Sequence, residues 1–155
     1  MNAPVTIDYL ENHPDFIPVC ASWAFGQWGC QSGGSFERAN KRFTEGANKT
    51  NIPLTLVAIA DGKPAGMISL WASDFDGRPD LSPWLASVYV HPFHRNKGIA
   101  SSLVKRLEAE ALRLGYKRLY LVTEESKGLY EKNGWQDMEQ VTTHHGGASL
   151  MTKSL

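Results

Sequence analysis

Residues 85–114, LASVYVHPFHRNKGIASSLVKRLEAEALRL, contain the pattern that decides the fold. The stretch 85–90 is apolar, with β-branched and aromatic residues, and predicts a buried strand that ends at Pro92, because proline cannot donate to a ladder. Apolar residues then recur at helical spacing: Ile99, Leu103, Val104, Leu107, Ala111 and Leu114. Gly115 predicts the end of this helix, and 118–123 predicts a second strand. The region therefore predicts a β–α–β unit in which a right-handed crossover joins two parallel strands.

The segment between the strand and the helix predicts a binding site for an anion. The first turn of a helix has unpaired N–H groups and the positive end of the helix dipole. Gly98 lets the backbone approach a ligand closely, Ala100 and Ser101 are small, and Arg95 and Lys97 add positive charge. The spacing matches neither a Walker A loop nor a dinucleotide fingerprint. Alone, the pattern leaves two interpretations open: a pyrophosphate-binding loop, or an ordinary strand-to-helix turn with surface cations.

A second segment, SKGLYEKNGW at 126–135, follows the second strand. Together with VYVHPFHRNKGIASSLV at 88–104, it resembles the GNAT superfamily of acyl-CoA-dependent N-acetyltransferases. The family signature is [Q/R]-x-x-G-x-[G/A] between a strand and a helix, with a later segment of the type LYEKNGW/F. Here Arg95, Gly98 and Ala100 stand at the signature positions. The resemblance is specific over 85–135 and is compatible in element order with the whole chain.

The resemblance implies the GNAT fold, an α/β (α+β) architecture. Its central sheet would be mixed and mostly antiparallel, with about six or seven strands and about four flanking helices. In the sequence itself, Ser35 predicts the N-cap of a helix over 36–47. Strands 85–90 and 118–123 would form a parallel pair that splays apart at its C-terminal ends. We expect a single domain over residues 1–155, a length that can bury its own core.

The resemblance also implies acetyl-CoA as the cofactor. The pantetheine arm would lie between the splayed strands and contact the main chain of Val88, Tyr89 and Val90. An N–H near Val90 would face the thioester oxygen, where a fixed donor stabilises the developing oxyanion. The pyrophosphate would be wrapped by the loop residues Arg95, Asn96, Lys97, Gly98, Ile99, Ala100 and Ser101. Ser126 is a further candidate for cofactor binding and also a predicted helix N-cap.

By resemblance, Tyr130 lies on the turn that faces the coenzyme sulfur. A phenol with a pKa of about 10 stays protonated at neutral pH, so it can act as the general acid for a departing thiolate. The alternative is that Tyr130 only packs beside Leu129. We expect direct attack by the amine in a ternary complex. A route through Cys20 or Cys30 is disfavoured, because neither lies in a motif.

The proton acceptor is harder to predict. An amine with a pKa of about 10 arrives charged and must lose a proton before it attacks. Strand 85–90 has no carboxylate. The candidates therefore remain ordered water and four acidic residues: Asp74, Asp76, Asp80 and Glu124. Among them we take Asp80 as the candidate base.

Two regions predict the acceptor site. In the GNAT family two N-terminal helices form one wall of this site, and Trp23 and Trp28 are candidates there, with aromatic core packing as the alternative. The loop before the central strand carries Asp74 and Asp76. These either attract a cationic amine or are solvated turn residues. Trp84, which follows the loop directly, is a further candidate.

Composition limits the partners. Sixteen basic and sixteen acidic residues give a formal charge of zero, so binding to nucleic acid or to an anionic membrane is not expected. The N-terminal residues lack the pattern of a signal peptide, and no apolar stretch is long enough for a membrane span, so we expect a cytoplasmic protein. The histidines and cysteines have no metal-ligand spacing, so no metal is expected.

The acceptor is expected to be a small-molecule or peptide amine, and a homodimer is a common arrangement in the family. Three alternatives remain. The same fold transfers longer acyl groups or acts on protein N-termini in some enzymes. An acyl-CoA-binding sensor with little catalysis would use the same loop, although the tyrosine argues against it. A P-loop protein is disfavoured because the lysine-serine/threonine end of that motif is missing.

Overall fold

The computed structural model describes residues 4–155, in which a seven-stranded sheet lies between two layers of helices. Residues 1–3 lie outside the described residues. They begin the N-terminal segment whose sequence lacks a signal-peptide pattern. The strands are β1 (Val5–Tyr9), β2 (Leu54–Ala60), β3 (Lys63–Trp71), β4 (Trp84–Val90), β5 (Arg118–Thr123), β6 (Gln136–Thr143) and β7 (Gly146–Ser154). The helices are α1 (Ile17–Gln27), α2 (Phe36–Glu45), α3 (Ile99–Arg113) and α4 (Lys127–Lys132), with four short 3₁₀ turns between elements.

The strand order is β1-β2-β3-β4-β5-β7-β6. All neighbours pair antiparallel except β4 and β5, which are parallel and joined by α3. The predicted mixed sheet with one parallel pair and four helices is therefore confirmed. In the part of the chain that the structure describes, no helix combines the length and the apolar character needed to cross a bilayer.

The parallel pair is held together at one end only. The register pairs a single residue of each strand, Trp84 with Tyr120, and the Tyr120 N–H donates to the Pro83 carbonyl at 3.2 Å. Beyond this point β4 and β5 have no ladder between them, so a gap opens toward their C-terminal ends. The predicted splay is present.

A β-bulge lies in β4 beside this gap. Between the pairs Tyr89–Met67 and Ala86–Ser69, two residues of β4 face only one of β3. One of the two, Ser87, has φ 55°, a left-handed conformation that is rare for residues other than glycine. The bulge turns the backbone of β4 at the point where the strand leaves β5, so it contributes to the gap.

Each face of the sheet has its own core. Helices α3 and α4 cover one face, where Leu103 and Leu107 are fully buried, and α1 and α2 cover the other, where Cys20 and Phe43 are buried. Helix α2 begins as predicted, with the Ser35 hydroxyl accepting a hydrogen bond from the N–H of Arg38 at 3.2 Å. Helices therefore pack against both faces of the sheet, while the C-terminal ends of β4 and β5 lie apart.

A buried carboxylate fastens the edge strand β1 to α3. Glu110 is 5% exposed, accepts a hydrogen bond from the Tyr9 hydroxyl and pairs with Arg113 at 3.1 Å. Burial alone would raise the pKa of Glu110, but the hydrogen bonds from Arg113 and Tyr9 outweigh it and hold that pKa below its usual value. The native state therefore favours the ionised carboxylate.

Replacing Glu110 with alanine is expected to destabilise the fold by about 1–3 kcal/mol at pH 7, because it removes the acceptor of the half-buried Tyr9 hydroxyl and the partner of the Arg113 guanidinium. The lowered pKa contributes stability above the unfolded value of 4.5, and this contribution disappears as the pH falls through the folded value. Urea unfolding at pH 7 and pH 3 tests this: the difference between Glu110→Ala and the parent should shrink at pH 3. The exposed Glu45→Ala is the control, and an equal loss in both variants would contradict the role of Glu110.

Candidate active site

Tyr130 lies in α4, which begins shortly after the C-terminal end of β5. Its residue is 5% exposed, and its ring packs edge-on against Trp135 with centroids 6.0 Å apart. The Trp135 indole is held in turn by Glu108, to which it donates at 3.0 Å. Within residues 4–155 the Tyr130 hydroxyl has no hydrogen-bond partner, yet it is not sealed off from solvent. The ring is therefore fixed in the core, while the hydroxyl has no hydrogen-bond partner among the described residues.

The surroundings of Tyr130 keep its hydroxyl protonated. Burial raises the pKa of the phenol far above its ordinary value of 10, and the negative charge of Asp74 raises it further. The group is a donor throughout the physiological range.

Two contacts hold the segment 72–83 against the sheet. The Phe75 ring lies edge-on against Trp84, 6.4 Å between centroids, and the Arg78 guanidinium donates to Glu139 of β6 at 3.1 Å. This course brings Asp74 near Tyr130 and near Glu124, which follows β5.

Asp74 has a strongly shifted acidity. The residue is exposed to solvent, although many protein atoms lie around it, and desolvation is the main cause that raises the pKa of Asp74 to about 7. The guanidinium of Arg42 in α2 opposes the shift, and the charges of Glu124 and Asp76 add to it. A carboxylate with a pKa near neutrality can take up a proton and release it again at physiological pH.

Asp80, the base candidate taken from the sequence, is in a different environment. It is exposed and forms two hydrogen bonds with the Arg78 guanidinium, at 3.0 and 2.9 Å. These hydrogen bonds hold the pKa of the Asp80 carboxyl below its usual value, which makes it a weak proton acceptor. The geometry favours Asp74 over Asp80 as the base, and the sequence had left Asp74 only as one of several candidates.

The loop before α3 has the features that an anion requires. Among the described residues, none of the N–H groups from Asn96 to Ser101 is paired with a protein acceptor. Gly98 has φ 80° and Asn96 has φ 62°, so two left-handed residues direct successive N–H groups around the helix start. A Cβ on Gly98 would meet no protein atom within 4 Å, so this side of the loop is open. The loop therefore fits the pyrophosphate of coenzyme A.

The two cationic side chains of the loop, Arg95 and Lys97, donate to backbone carbonyls of the protein, although the sequence predicted that they would face the pyrophosphate. The Arg95 guanidinium donates to the Val90 carbonyl at 2.9 Å and lies over the Tyr89 ring at 5.5 Å. The Lys97 ammonium donates to the Phe93 carbonyl at 3.4 Å. Ile99 is buried, so only its backbone is available to a ligand. The main chain of the loop, rather than its charged side chains, forms the cradle.

The other cofactor candidates lie around the same gap. Val88, Tyr89 and Val90 are half-buried on the part of β4 that has no partner in β5. Ser101 accepts a hydrogen bond from Asn133 at 3.3 Å, which ties the start of α3 to the end of α4. Ser126 precedes α4 and is exposed, but its side chain forms no capping hydrogen bond, so the predicted N-cap contact is wrong.

The three candidate tryptophans of the acceptor wall differ in position. Trp23 is half-buried and lies against Tyr89, 5.2 Å between centroids, so α1 packs beside the free part of β4. Trp28 is half-buried at the end of α1. Trp84 has no exposed surface, and its indole N–H donates to the Leu81 carbonyl at 2.7 Å. Trp84 therefore supports the loop from beneath and has no face to offer an acceptor.

Sequence reasoning missed two features of the site. One is Arg42, whose guanidinium lies 4.4 Å from the centroid of the Trp71 ring. Its positive charge opposes the rise in the pKa of Asp74. The left-handed Ser87 in β4 was also missed. Neither had a signal, because arginine on a helix surface is ordinary and serine does not favour positive φ.

Both cysteines are free thiols. Cys20 is fully buried on the inner face of α1, and burial raises the pKa of its thiol to about 12, so the reactive thiolate is scarce at neutral pH. Cys30 is exposed, and its thiol contacts the Gly26 carbonyl at 3.3 Å.

Known proteins resemble this chain in sequence and in fold. An acetyltransferase of Pectobacterium atrosepticum is 30% identical over 93 residues, which are 57% of this chain and 62%, less than two thirds, of that protein. An aminoglycoside 6'-N-acetyltransferase complexed with coenzyme A superposes with a TM-score of 0.74 at 16% identity over 96% of both chains. The NatC complex bound to Gag peptide and CoA superposes with a TM-score of 0.73 at 16% identity over 97% of this chain and 98% of that chain. At these identities the solved structures establish the fold.

The profile of the acetyltransferase (GNAT) family matches residues 19–135. This range is well over half of the chain and includes both splayed strands, the loop at the start of α3 and the turn that carries Tyr130. Acetyl-CoA is the cofactor of the family, and the unpaired loop N–H groups described above suit it. On this match the chain belongs to the acetyltransferase (GNAT) family.

Proposed function

We propose that this protein transfers the acetyl group of acetyl-CoA to a primary amine by direct attack, with Tyr130 as general acid and Asp74 as general base. The proposal is supported by the acidity of the two groups: the phenol stays protonated, its pKa raised by burial and by the charge of Asp74, and the carboxyl has a pKa of about 7. The amine nitrogen bonds to the acetyl carbon while the carbon–sulfur bond breaks.

The residues around the gap have separate roles in binding the cofactor and in moving protons. The N–H groups from Asn96 to Ser101 hold the pyrophosphate, and the free main chain of β4 aligns the pantetheine arm. An N–H near Val90 stabilises the oxyanion. Asp74 accepts the proton that the ammonium must lose, and Tyr130 donates its proton to the departing sulfur. Cys20 takes no part, because its thiol is buried and protonated.

We also propose that the chain functions as one domain in the cytoplasm. Its two free thiols suit a reducing compartment. A small-molecule or peptide amine, rather than nucleic acid or a membrane, is the proposed partner, and a homodimer stays a prediction.

Tyr130→Phe is expected to lower kcat by about 10²- to 10⁴-fold, because it removes the acid and leaves the ring packing intact. The hydroxyl has no protein partner, so stability and the Kd for acetyl-CoA should stay close to the parent values. Thiol release from acetyl-CoA with an amine panel, together with calorimetric titration, measures both. Tyr116→Phe, at the far end of α3, is the matched control. Full activity of Tyr130→Phe would exclude the acid role.

Gly98→Ala should weaken acetyl-CoA binding by about tenfold or more, because the added methyl group occupies the open side of the loop where the pyrophosphate approaches. Gly115→Ala is a close control: both glycines have positive φ, 80° and 97°, and a Cβ added to either would meet no protein atom within 4 Å. Both variants should lose a similar amount of stability, about 1–2 kcal/mol. Titration with acetyl-CoA distinguishes them, and equal affinity in the two variants would show that the loop is only a turn.

Asp74→Asn should lower kcat/KM by about a hundredfold or more and remove an acid limb near pH 7 from its pH profile, because the parent needs the ionised carboxylate. The charged and polar groups that are electrostatically coupled to this carboxyl remain in the variant: Arg42, Asp76, Glu124 and Tyr130.

The same substitution should change stability in the opposite sense. Since the pKa of Asp74 is raised from 3.8 to about 7, ionisation disfavours the folded state as the pH rises through this window. Asp74→Asn should therefore have a higher Tm than the parent at pH 8, with a smaller difference at pH 4. Asp80→Asn, which breaks the pair with Arg78, is the control. It should not raise Tm at pH 8, and its kcat/KM profile should keep the acid limb near pH 7. A parent profile without a limb near pH 7 would contradict the role of Asp74.

A further inference from the structure

We propose that Glu108 of α3 is a positioning residue for acetyl transfer, because its carboxylate fixes the turn that carries Tyr130. This inference rests on the proposed function, in which Tyr130 is the general acid. Glu108 acts through the phenol and not on the substrates themselves.

Helix α4 is too short to fix Tyr130 by itself. It has six residues, Lys127–Lys132, and a helix of this length is marginal in water unless tertiary contacts support it. The Ser126 side chain does not cap its start. The Tyr130 hydroxyl forms no hydrogen bond within residues 4–155. The position of the phenol therefore depends on the contacts of its ring and of the backbone around it.

Trp135 contacts Tyr130 through both its ring and its main chain. The two rings pack edge-on with centroids 6.0 Å apart, and the Trp135 N–H donates to the Tyr130 carbonyl at 3.0 Å. Trp135 is 3% exposed, so its indole is enclosed by the core. The orientation of this indole therefore sets where the phenol lies.

The Glu108 carboxylate gives one oxygen to each of two donors. Its Oε2 accepts from the Trp135 indole N–H at 3.0 Å, and its Oε1 accepts from the Lys153 ammonium at 2.7 Å. The same ammonium donates at 2.7 Å to the carbonyl of Asn133, the residue at which α4 ends, and so supports the last turn of that helix. One carboxylate thus fixes both the indole beside Tyr130 and the end of the helix that carries it.

These hydrogen bonds are well shielded from water. The side chain of Glu108 is 13% exposed and that of Lys153 is 25% exposed. Charge-assisted hydrogen bonds are stronger than neutral ones, and a low local dielectric strengthens them further. Apolar packing has no preferred direction, whereas a hydrogen bond fixes an angle. The network therefore gives the indole one defined orientation, which packing alone would not.

Glu110 provides a comparison on the same helix. It lies two residues after Glu108 and is also buried and paired, but its partners are Tyr9 of β1 and Arg113 of α3 itself. Neither of these partners belongs to α4 or to the residues that follow it. Loss of Glu110 should therefore reduce stability alone, whereas loss of Glu108 should reduce both stability and the rate of transfer.

Glu108→Gln is expected to lower kcat by about tenfold to a hundredfold, because a misplaced acid meets the departing sulfur in the wrong geometry. The Kd for acetyl-CoA should stay close to the parent value, since the loop over 96–101 is unchanged. Trp135→Phe keeps an aromatic ring beside Tyr130 but removes the indole N–H, so it should lower kcat in the same way. Glu110→Gln is the control, with lower stability and a kcat near that of the parent. Thiol release and calorimetric titration, both below the Tm of every variant, measure these values.

A double-mutant cycle with Tyr130→Phe separates positioning from a general structural effect. If Glu108 acts through the phenol, Glu108→Gln should lower the kcat of the Tyr130→Phe variant by less than about twofold, because the group that it positions is already absent. A purely structural role would lower kcat by the same factor in both backgrounds.

The outcomes distinguish this inference from the proposed function. An equal factor in both backgrounds would overturn the positioning role and leave the acid role of Tyr130 intact. A parent-like kcat in both Glu108→Gln and Trp135→Phe would do the same, as would a fall in kcat for Glu110→Gln as large as that for Glu108→Gln. A fully active Tyr130→Phe would overturn the acid role and the positioning role with it.

Discussion

The separation of β4 from β5 is the constraint on which the rest of the molecule depends. A parallel pair that touches only at Trp84 and Tyr120 leaves the main chain of β4 without a partner over most of its length on that side. Unpaired backbone groups inside a protein are costly unless a ligand or water satisfies them. The bulge at Ser87 and the anion loop at the start of α3 lie at the same edge. The open strand edge thus creates a binding site from backbone atoms alone.

The gap persists because other contacts hold both strands. On one side β3 pairs with β4, and on the other β7 pairs with β5 over six residues. Helices on both faces bury continuous cores, and Glu110 fastens the edge strand β1 to α3. Closing the gap would need the sheet to shift against both cores, whose dense packing resists such a movement. The stability of the scaffold and the openness of the site are therefore compatible.

The sequence predicted the elements better than it predicted the chemistry between them. The period of α3, the cap at Ser35 and the glycine loop are local patterns, and each stands in the structure where it was expected. The acid–base partners are a long-range property. Asp74 and Asp80 look alike in sequence, but Arg78 pairs with Asp80, whereas desolvation raises the pKa of Asp74. Trp84 was misjudged for the same reason, since burial depends on the whole fold.

Tyr130 and Asp74, the acid and the base that we propose, respond in the same way to loss of solvation. Loss of solvation favours the neutral form of each group, so both pKa values rise. For a phenol that starts near 10, the rise keeps the proton in place until a thiolate is ready to take it. For a carboxyl that starts near 4, the rise brings the pKa to about 7, where proton uptake and release are balanced. The negative charges of Glu124 and Asp76 contribute to the rise at Asp74, so neighbouring carboxylates help to set the acidity of the base that we propose.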